Sequence, residues 1–204
     1  MRILLVVCDN DSYTHFFPQG AAYLASTLRA SGFEVEIYNQ DVHHYPDKHL
    51  TDYLDNNRFD FIGCGVIGGY YQYRKLLRVS EAVNRSKNRP FYILGGHGPS
   101  PDPEYFLRKT QADAVVIGEG EQTIVELLQA VAQHRSLRQV KGIAYRDGND
   151  VVISDRLPVT GCFETRTVRV QISSCLCCPD GDVSLSVISV IEWTRVCGLG
   201  VTRP

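Results

Sequence analysis

Residues 2–7 read Arg-Ile-Leu-Leu-Val-Val, and this stretch decides the fold of the chain. A continuous apolar run of this length is typical of a parallel β-strand that is covered on both faces. Further along, Ala21, Leu24, Ala25 and Leu28 recur at the i, i+3, i+4, i+7 spacing of one helix face. The sequence therefore predicts a buried strand followed by a helix that packs on the sheet.

The same alternation of strand and helix patterns continues along the chain. Five such units with short connections predict an α/β, Rossmann-like (flavodoxin-like) five-stranded parallel sheet, doubly wound, with strand order 2-1-3-4-5. A C-terminal β-hairpin is predicted at 142–145 and 151–154. The other predicted strands are 33–38, 59–65, 91–94 and 112–117, and the other helices are 47–57, 72–86, 103–109 and 124–131.

Composition limits the class of protein. Of 204 residues, 44% are hydrophobic and 22% are charged, as in folded globular proteins. The longest apolar run, Ile3 to Val7, is too short to span a membrane. A net charge of −2 argues against a nucleic-acid binder. Since the first ten residues lack the pattern of a secretory signal, we expect a cytoplasmic protein without nucleic-acid or membrane partners.

The composition changes near Val159. All eleven Tyr and all six His precede this residue, whereas five of the seven Cys and the one Trp follow it. We interpret residues 159–204 as an atypical, irregular tail that packs poorly, and as a shifted-frame or truncated ending.

The loops that follow strands three, four and five are rich in glycine. In a doubly wound sheet, ligands bind outside the carboxyl ends of the strands, where the strand order reverses. Glycine allows a ligand to approach the backbone closely, but it also serves ordinary tight turns. Three such loops on one edge favour a ligand. They read Gly63-Cys64-Gly65-Val66-Ile67-Gly68-Gly69-Tyr70, Gly95-Gly96-His97-Gly98-Pro99-Ser100 and Gly118-Glu119-Gly120-Glu121.

These loops resemble the cobalamin-binding domain at the N-terminus of many radical S-adenosylmethionine enzymes. The most specific pieces are residues 95–100, 112–121 and 141–148, and the resemblance covers about residues 1–158. It implies a cobalamin-binding domain at 1–140 and a β-hairpin or linker at 141–158 that leads towards a catalytic barrel. The tail follows at 159–204.

One departure from related cobalamin domains concerns the cobalt ligand. Mutases and methionine synthase carry Asp-x-His-x-x-Gly after strand one, whereas this loop has His15 at a different spacing. The Ser-x-Leu expected after strand three aligns with Gly65-Val66-Ile67. The resemblance thus implies base-off cobalamin without a protein histidine on cobalt. His15 and His97 stay open as cobalt ligands or as ordinary polar loop residues.

The resemblance and the loops assign a set of residues to the cofactor. A side chain in place of Gly96 is expected to project into the ligand space. Glu119 and Glu121 contact either the corrin amides or the free N–H groups of a helix N-terminus. The full set is Asp11, Ser12, Tyr13, His15, Gly65, Val66, Ile67, Gly68, Gly69, Tyr70, Gly95, Gly96, His97, Gly98, Pro99, Gly118, Glu119 and Gly120.

Catalytic motifs of the resembled enzymes are missing from the sequence. The family holds its iron–sulfur cluster with Cys-x-x-x-Cys-x-x-Cys, a spacing that Cys175-Leu176-Cys177-Cys178 does not reproduce. We therefore expect no metal site and no catalytic residues in this chain, and we assign the cluster and S-adenosylmethionine to the full-length relatives. Cys8 and Cys64 are expected to be small buried residues.

The sequence is best interpreted as the cobalamin-binding module of a radical S-adenosylmethionine enzyme, such as a methyltransferase or cyclase, truncated before its iron–sulfur barrel. Its partners would be the corrinoid and that barrel, and the module is not expected to be catalytic alone. One alternative is a stand-alone small-ligand binding or sensor domain. Another is a small transferase that uses the glycine-rich edge for a nucleotide sugar.

Overall fold

The computed structural model of the chain describes residues 1–11 and 17–155. The predictions for Ser12, Tyr13, His15 and the tail at 159–204 lie outside the described residues. The strands are β1 Arg2–Val7, β2 Glu34–Asn39, β3 Phe61–Gly65, β4 Phe91–Gly95, β5 Ala114–Val116, β6 Ile143–Asp147 and β7 Asp150–Ile153. The helices are α1 Gln19–Ala30, α2 Gln40–His43, α3 Asp47–Asn56, α4 Tyr70–Arg85, α5 Pro103–Thr110 and α6 Glu121–Ala132, followed by a 3-10 turn at Leu137–Gln139.

The strands form one sheet in the order β2-β1-β3-β4-β5-β6-β7. The first five are parallel, which confirms the predicted order 2-1-3-4-5. The predicted hairpin is β6–β7, and it extends the sheet because β6 pairs antiparallel with β5. The register sets Val7 beside Gly65 and Gly65 beside Gly95, so that β1, β3 and β4 end level with one another.

Both faces of the sheet are covered by helices, as the continuous apolar run of β1 requires. Leu4 and Val6 belong to the core on one face, where Leu50, Leu54, Leu76, Val79 and Leu107 contribute from α3, α4 and α5. Ile3 and Leu5 belong to the core on the other face, where Ala25, Leu28, Ile124 and Leu127 contribute from α1 and α6. The strand period of two therefore divides a single run of apolar residues between two cores.

The short helix α2 is absent from the sequence prediction, and it directly follows the end of β2, which is paired with the end of β1. The Asn39 side chain caps it by accepting hydrogen bonds from the N–H groups of Asp41 and Val42. Asp41, in this helix, is buried. Four residues are too few for a periodic apolar pattern, which explains why this helix was not predicted.

Within residues 1–11 and 17–155, no helix has the length and apolar character that crossing a membrane requires.

The packing of α1 gives a test of the fold. Leu28 is fully buried, whereas Leu24, predicted to face the sheet, is only half-buried at the margin of the same core. We expect Leu28→Ala to lower the free energy of unfolding by about 2–5 kcal/mol, because it leaves a cavity that the core cannot fill. Urea unfolding followed by circular dichroism measures this change.

Tyr23→Ala is the matched control, since Tyr23 lies on the same helix and is 46% exposed. Its effect should stay within about 0.5 kcal/mol. Equal losses in the two variants would contradict this packing of α1.

Candidate functional site

The carboxyl ends of the parallel strands form one edge of the sheet, and four of the loops there carry predicted site residues. β1 lies between β2 and β3, and the helices that follow β1 and β3 pack on opposite faces of the sheet. This is the point where the strand order reverses, and it is where ligands bind in such folds. The loops begin at Cys8, Val66, Gly96 and Ile117.

The loops after β3 and β4 are joined through their backbones. Val66 donates its N–H to the Gly95 carbonyl at 3.0 Å, and Gly98 donates to the Val66 carbonyl at 2.9 Å. Gly96 adopts a φ of +90°, and a Cβ placed there would lie 2.5 Å from the Val66 carbonyl oxygen. The expectation that a side chain at residue 96 would project into the ligand space is therefore wrong, because it would collide with the neighbouring loop.

The loop after β5 is attached to the same pair of loops through Ser100. The Ser100 hydroxyl donates to the Gly96 carbonyl at 2.7 Å and accepts a hydrogen bond from the Gly118 N–H at 3.3 Å. Ser100 was not assigned to the site from sequence. The glycine-rich loops predicted to meet at one edge are thus linked by hydrogen bonds.

On the other side of the β3 loop, Gln72 connects it to β1. Its Oε1 accepts hydrogen bonds from the N–H groups of Ile67 and Gly68, both at 3.1 Å. Its Nε2 donates to Asn10 Oδ1 at 2.7 Å, and the Asn10 N–H donates to Asp41 Oδ1 at 2.8 Å. The β1, β2 and β3 loops are held together by these side chains, which sequence reasoning missed.

An ion pair fixes the first residues of the β1 loop. Lys75 Nζ lies 2.6 Å from Asp9 Oδ2, and His44 Nδ1 lies 3.2 Å from Asp9 Oδ1. Burial opposes ionisation of Asp9, but hydrogen bonds from Lys75 and the Asp11 N–H outweigh it and lower the pKa of this carboxyl. One carboxylate oxygen each of Asp9 and Asp11 and one ring nitrogen of His44 lie within 4.8 Å of one another. The positively charged ammonium group of Lys75 contacts this cluster through Asp9.

The loop after β3 provides an open surface. Gly65, the last residue of β3, and Gly68 and Gly69 in the loop are exposed, and a Cβ added at any of them would meet no atom of the described residues within 4 Å. Ile67 and Tyr70 are 75% and 76% exposed. Two large apolar side chains therefore lie beside bare backbone on this loop.

The remaining predicted residues differ in exposure. Asp11, His97 and Glu119 are exposed, whereas Val66 and Pro99 are buried, so these two contribute through backbone and packing. Gly95, Gly98, Gly118 and Gly120 are partly buried.

Two further observations concern the start of α6 and the thiols. Glu121 Oε2, at the first turn of α6, is buried and has no hydrogen-bond partner among the described residues. Cys8 and Cys64 are buried as predicted.

Two solved structures share the fold over most of the chain. One is TsrM from Kitasatospora setae, a radical S-adenosylmethionine methyltransferase with cobalamin and a 4Fe-4S cluster bound. It superposes with a TM-score of 0.65 and 21% identity over 79% of this chain and 30% of that one. The other is OxsB, a cobalamin-dependent S-adenosylmethionine radical enzyme with aqua-cobalamin bound. It superposes with a TM-score of 0.64 and 21% identity over 78% of this chain and 22% of the OxsB chain.

Curated relatives are longer than this chain. The anaerobic magnesium-protoporphyrin IX monomethyl ester cyclase of Rubrivivax gelatinosus is 30% identical over 150 residues, which is 70% of this chain and 26% of the cyclase. An uncharacterised methyltransferase of Pyrococcus horikoshii is 28% identical over 159 residues, or 74% of this chain and 34% of that protein. The chain thus spans about a quarter to a third of these relatives.

The family match covers the strands and loops of the edge. Residues 6–128 match the family described as the B12 binding domain, which confirms the predicted resemblance to a cobalamin-binding domain. Since the match spans more than half of its residues, the chain belongs to the B12 binding domain family.

Proposed function

We propose that the chain binds base-off cobalamin on the edge formed by the loops after β1, β3, β4 and β5. In this proposal residues 1–140 form the cobalamin-binding domain, and 141–158 lead towards the radical S-adenosylmethionine barrel of a longer enzyme. The observation that carries the proposal is the exposed, glycine-rich loop after β3. Hydrogen bonds join it to the loop after β4, and that loop is joined to the loop after β5. A large flat ligand needs such a surface, free of side chains.

The residues at this edge fit a corrinoid in two ways. Gly65, Gly68 and Gly69 leave bare backbone, which a ring bearing many amide groups can approach closely. The buried Glu121 Oε2 has no hydrogen-bond donor among the residues that the structure describes, and an amide N–H or a hydroxyl group of the cofactor would satisfy it. An acceptor left unpaired in a buried place is destabilising, so a ligand donor there would stabilise the complex.

The absence of a histidine on cobalt is supported by the composition of the edge. The Asp-x-His-x-x-Gly pattern does not follow β1, and the open β3 loop contains no histidine. His44 Nδ1 lies 3.2 Å from Asp9 Oδ1, whereas His97 in the β4 loop is exposed at the same edge. We assign the base-off form without a protein imidazole because the motif that supplies a cobalt-binding histidine is missing after β1.

The chain itself would bind and shield the cofactor. Ile67 and Tyr70 would exclude water from it, while the locked loops would hold the backbone in place. Cobalamin supplies a cobalt ion that accepts and gives up a methyl group. The relatives are described as a methyltransferase and a cyclase, so the parent reaction is methyl transfer or a cobalamin-assisted cyclisation, with the iron–sulfur cluster and S-adenosylmethionine held outside this chain.

The proposal predicts that the purified chain, incubated with hydroxocobalamin and desalted, keeps a corrinoid with a base-off visible spectrum. Hydroxocobalamin alone on the same column is the control. A colourless protein with no spectral shift on titration would contradict the proposal, and a dissociation constant above about 1 mM, near −4 kcal/mol, would be too weak to support it. A base-on spectrum would contradict the assigned state of the cofactor.

Gly65→Val tests the location of the site. The new side chain, at the end of β3, meets no atom of the described residues within 4 Å and requires no positive φ, so we expect unchanged thermal stability and no retained cobalamin. Lys87→Val, an exposed position on the opposite edge of the sheet, is the control and should change neither property. Normal cobalamin affinity in Gly65→Val would remove the β3 loop from the site.

Gly96→Val should behave differently from Gly65→Val. Its positive φ alone makes valine unfavourable by roughly 1–2 kcal/mol, and the contact with the Val66 carbonyl adds to that loss. Thermal unfolding measures the difference, and a stable Gly96→Val variant would contradict the close approach of the two loops.

A further inference from the structure

Two buried thiols meet beneath the proposed cofactor edge. The Sγ atoms of Cys8 and Cys64 lie 3.3 Å apart. The two residues are only 6% and 3% exposed. Neither takes part in the hydrogen bonds that link the loops, and the proposed function does not use them.

The register explains how the two sulfurs meet. Cys64 is paired with Val6 in the parallel ladder, and Cys8 lies two residues after Val6, just beyond the end of β1. The side chains of Val6, Cys8 and Cys64 all belong to the core on the same face, so the thiols are diagonal neighbours. Because the ladder of β1 ends at Val7, Cys8 is outside it and can move without breaking a strand pair.

The two thiols are chemically unequal. The hydrogen bond from Cys64 lowers the pKa of Cys8, against burial and the charge of Asp9 and with support from Lys75. The hydrogen bond to Cys8 and burial raise the pKa of Cys64 well above its ordinary value. Cys8 is also the more exposed of the two and adjoins the Asp9–Lys75 pair, so we assign the first attack to Cys8.

We propose that Cys8 and Cys64 form an oxidation site for peroxide. The Cys8 sulfur attacks hydrogen peroxide, the O–O bond breaks, and Cys8 sulfenic acid and one water molecule form. The Cys64 sulfur then attacks the Cys8 sulfur and displaces its hydroxyl group as a second water, which leaves an intramolecular disulfide. Peroxide is reduced, and the two thiols are oxidised by two electrons in total.

The bond would alter the edge above it. An S–S bond is about 2.05 Å long, so closure from 3.3 Å draws Cys8 towards β3. Asp9 follows Cys8 directly and carries the contacts to Lys75 and His44, so this movement would disturb the β1 loop. This consequence rests on the proposed function: we expect oxidised protein to bind hydroxocobalamin about tenfold more weakly, a coupling of ordinary size.

The test is a non-reducing tryptic map of the full chain after treatment with hydrogen peroxide and blocking with N-ethylmaleimide. Cleavage after Arg2, Arg29, Arg58 and Arg74 places Cys8 in peptide 3–29 and Cys64 in peptide 59–74. We expect these two peptides to be linked in the oxidised sample and separate after treatment with dithiothreitol. Oxidation of the five cysteines beyond Val159 serves as an internal measure of oxidant strength.

Two outcomes would overturn the oxidation site. One is a map in which later cysteines are oxidised while both peptides carry only N-ethylmaleimide. The other is a map in which Cys8 or Cys64 is linked mainly to one of those later cysteines.

Cys64→Ser provides a second measurement. Its hydroxyl keeps a hydrogen-bond donor beside Cys8 but supplies no resolving sulfur, so Cys8 should stop at the sulfenic acid and react with dimedone. No dimedone adduct on Cys8 would overturn the proposed first step.

Hydroxocobalamin titration of oxidised and reduced protein tests the effect on the edge. Equal affinity in both samples would overturn the link to the cofactor. No binding by reduced protein would contradict the proposed function while leaving the peptide map as the test of the oxidation site.

Discussion

The close approach of Gly96 to the Val66 carbonyl is the constraint on which the proposed site depends. It brings the β4 loop against the β3 loop, where the Gly98 N–H can reach the same carbonyl at 2.9 Å. From Gly96, Ser100 extends the contact to Gly118 and the β5 loop. With its inner side occupied in this way, the β3 loop presents Gly65 and its neighbours outwards.

Polar side chains complete the edge on the side of β1. Gln72 and Asn10 connect the β3 loop to the β1 loop, and the pair of Asp9 and Lys75 attaches the β1 loop to α4. These contacts form within the chain without any ligand. The loss of conformational entropy in ordering these described loop segments therefore accompanies folding, which leaves less to be lost when a cofactor binds.

The sequence was sufficient to predict the order of the parallel strands and the edge on which the glycine loops meet. Continuous apolar runs and helical periodicity are local signals, and right-handed crossovers restrict the topology. The role of Gly96 could not be predicted in the same way, because it depends on a residue thirty positions earlier that the register places alongside. The links made by Gln72 and Asn10 are likewise long-range contacts between polar residues that show no pattern in the sequence.

The pattern of helix burial shows the same limit at a finer scale. Periodicity placed Leu24 on the covered face of α1, yet it lies at the margin of the core while Ala22 is buried. The angle at which a helix packs on a twisted sheet decides such differences, and the spacing of apolar residues does not specify that angle.

The most direct test of the central claim is amide hydrogen exchange of the chain with and without hydroxocobalamin. The account predicts that the cofactor slows exchange in residues 65–70, 95–100 and 118–120 and leaves α3 and the amino ends of the strands unchanged. Slowed exchange confined to other parts of the chain, or no change at saturating cofactor, would contradict a corrinoid site on this edge.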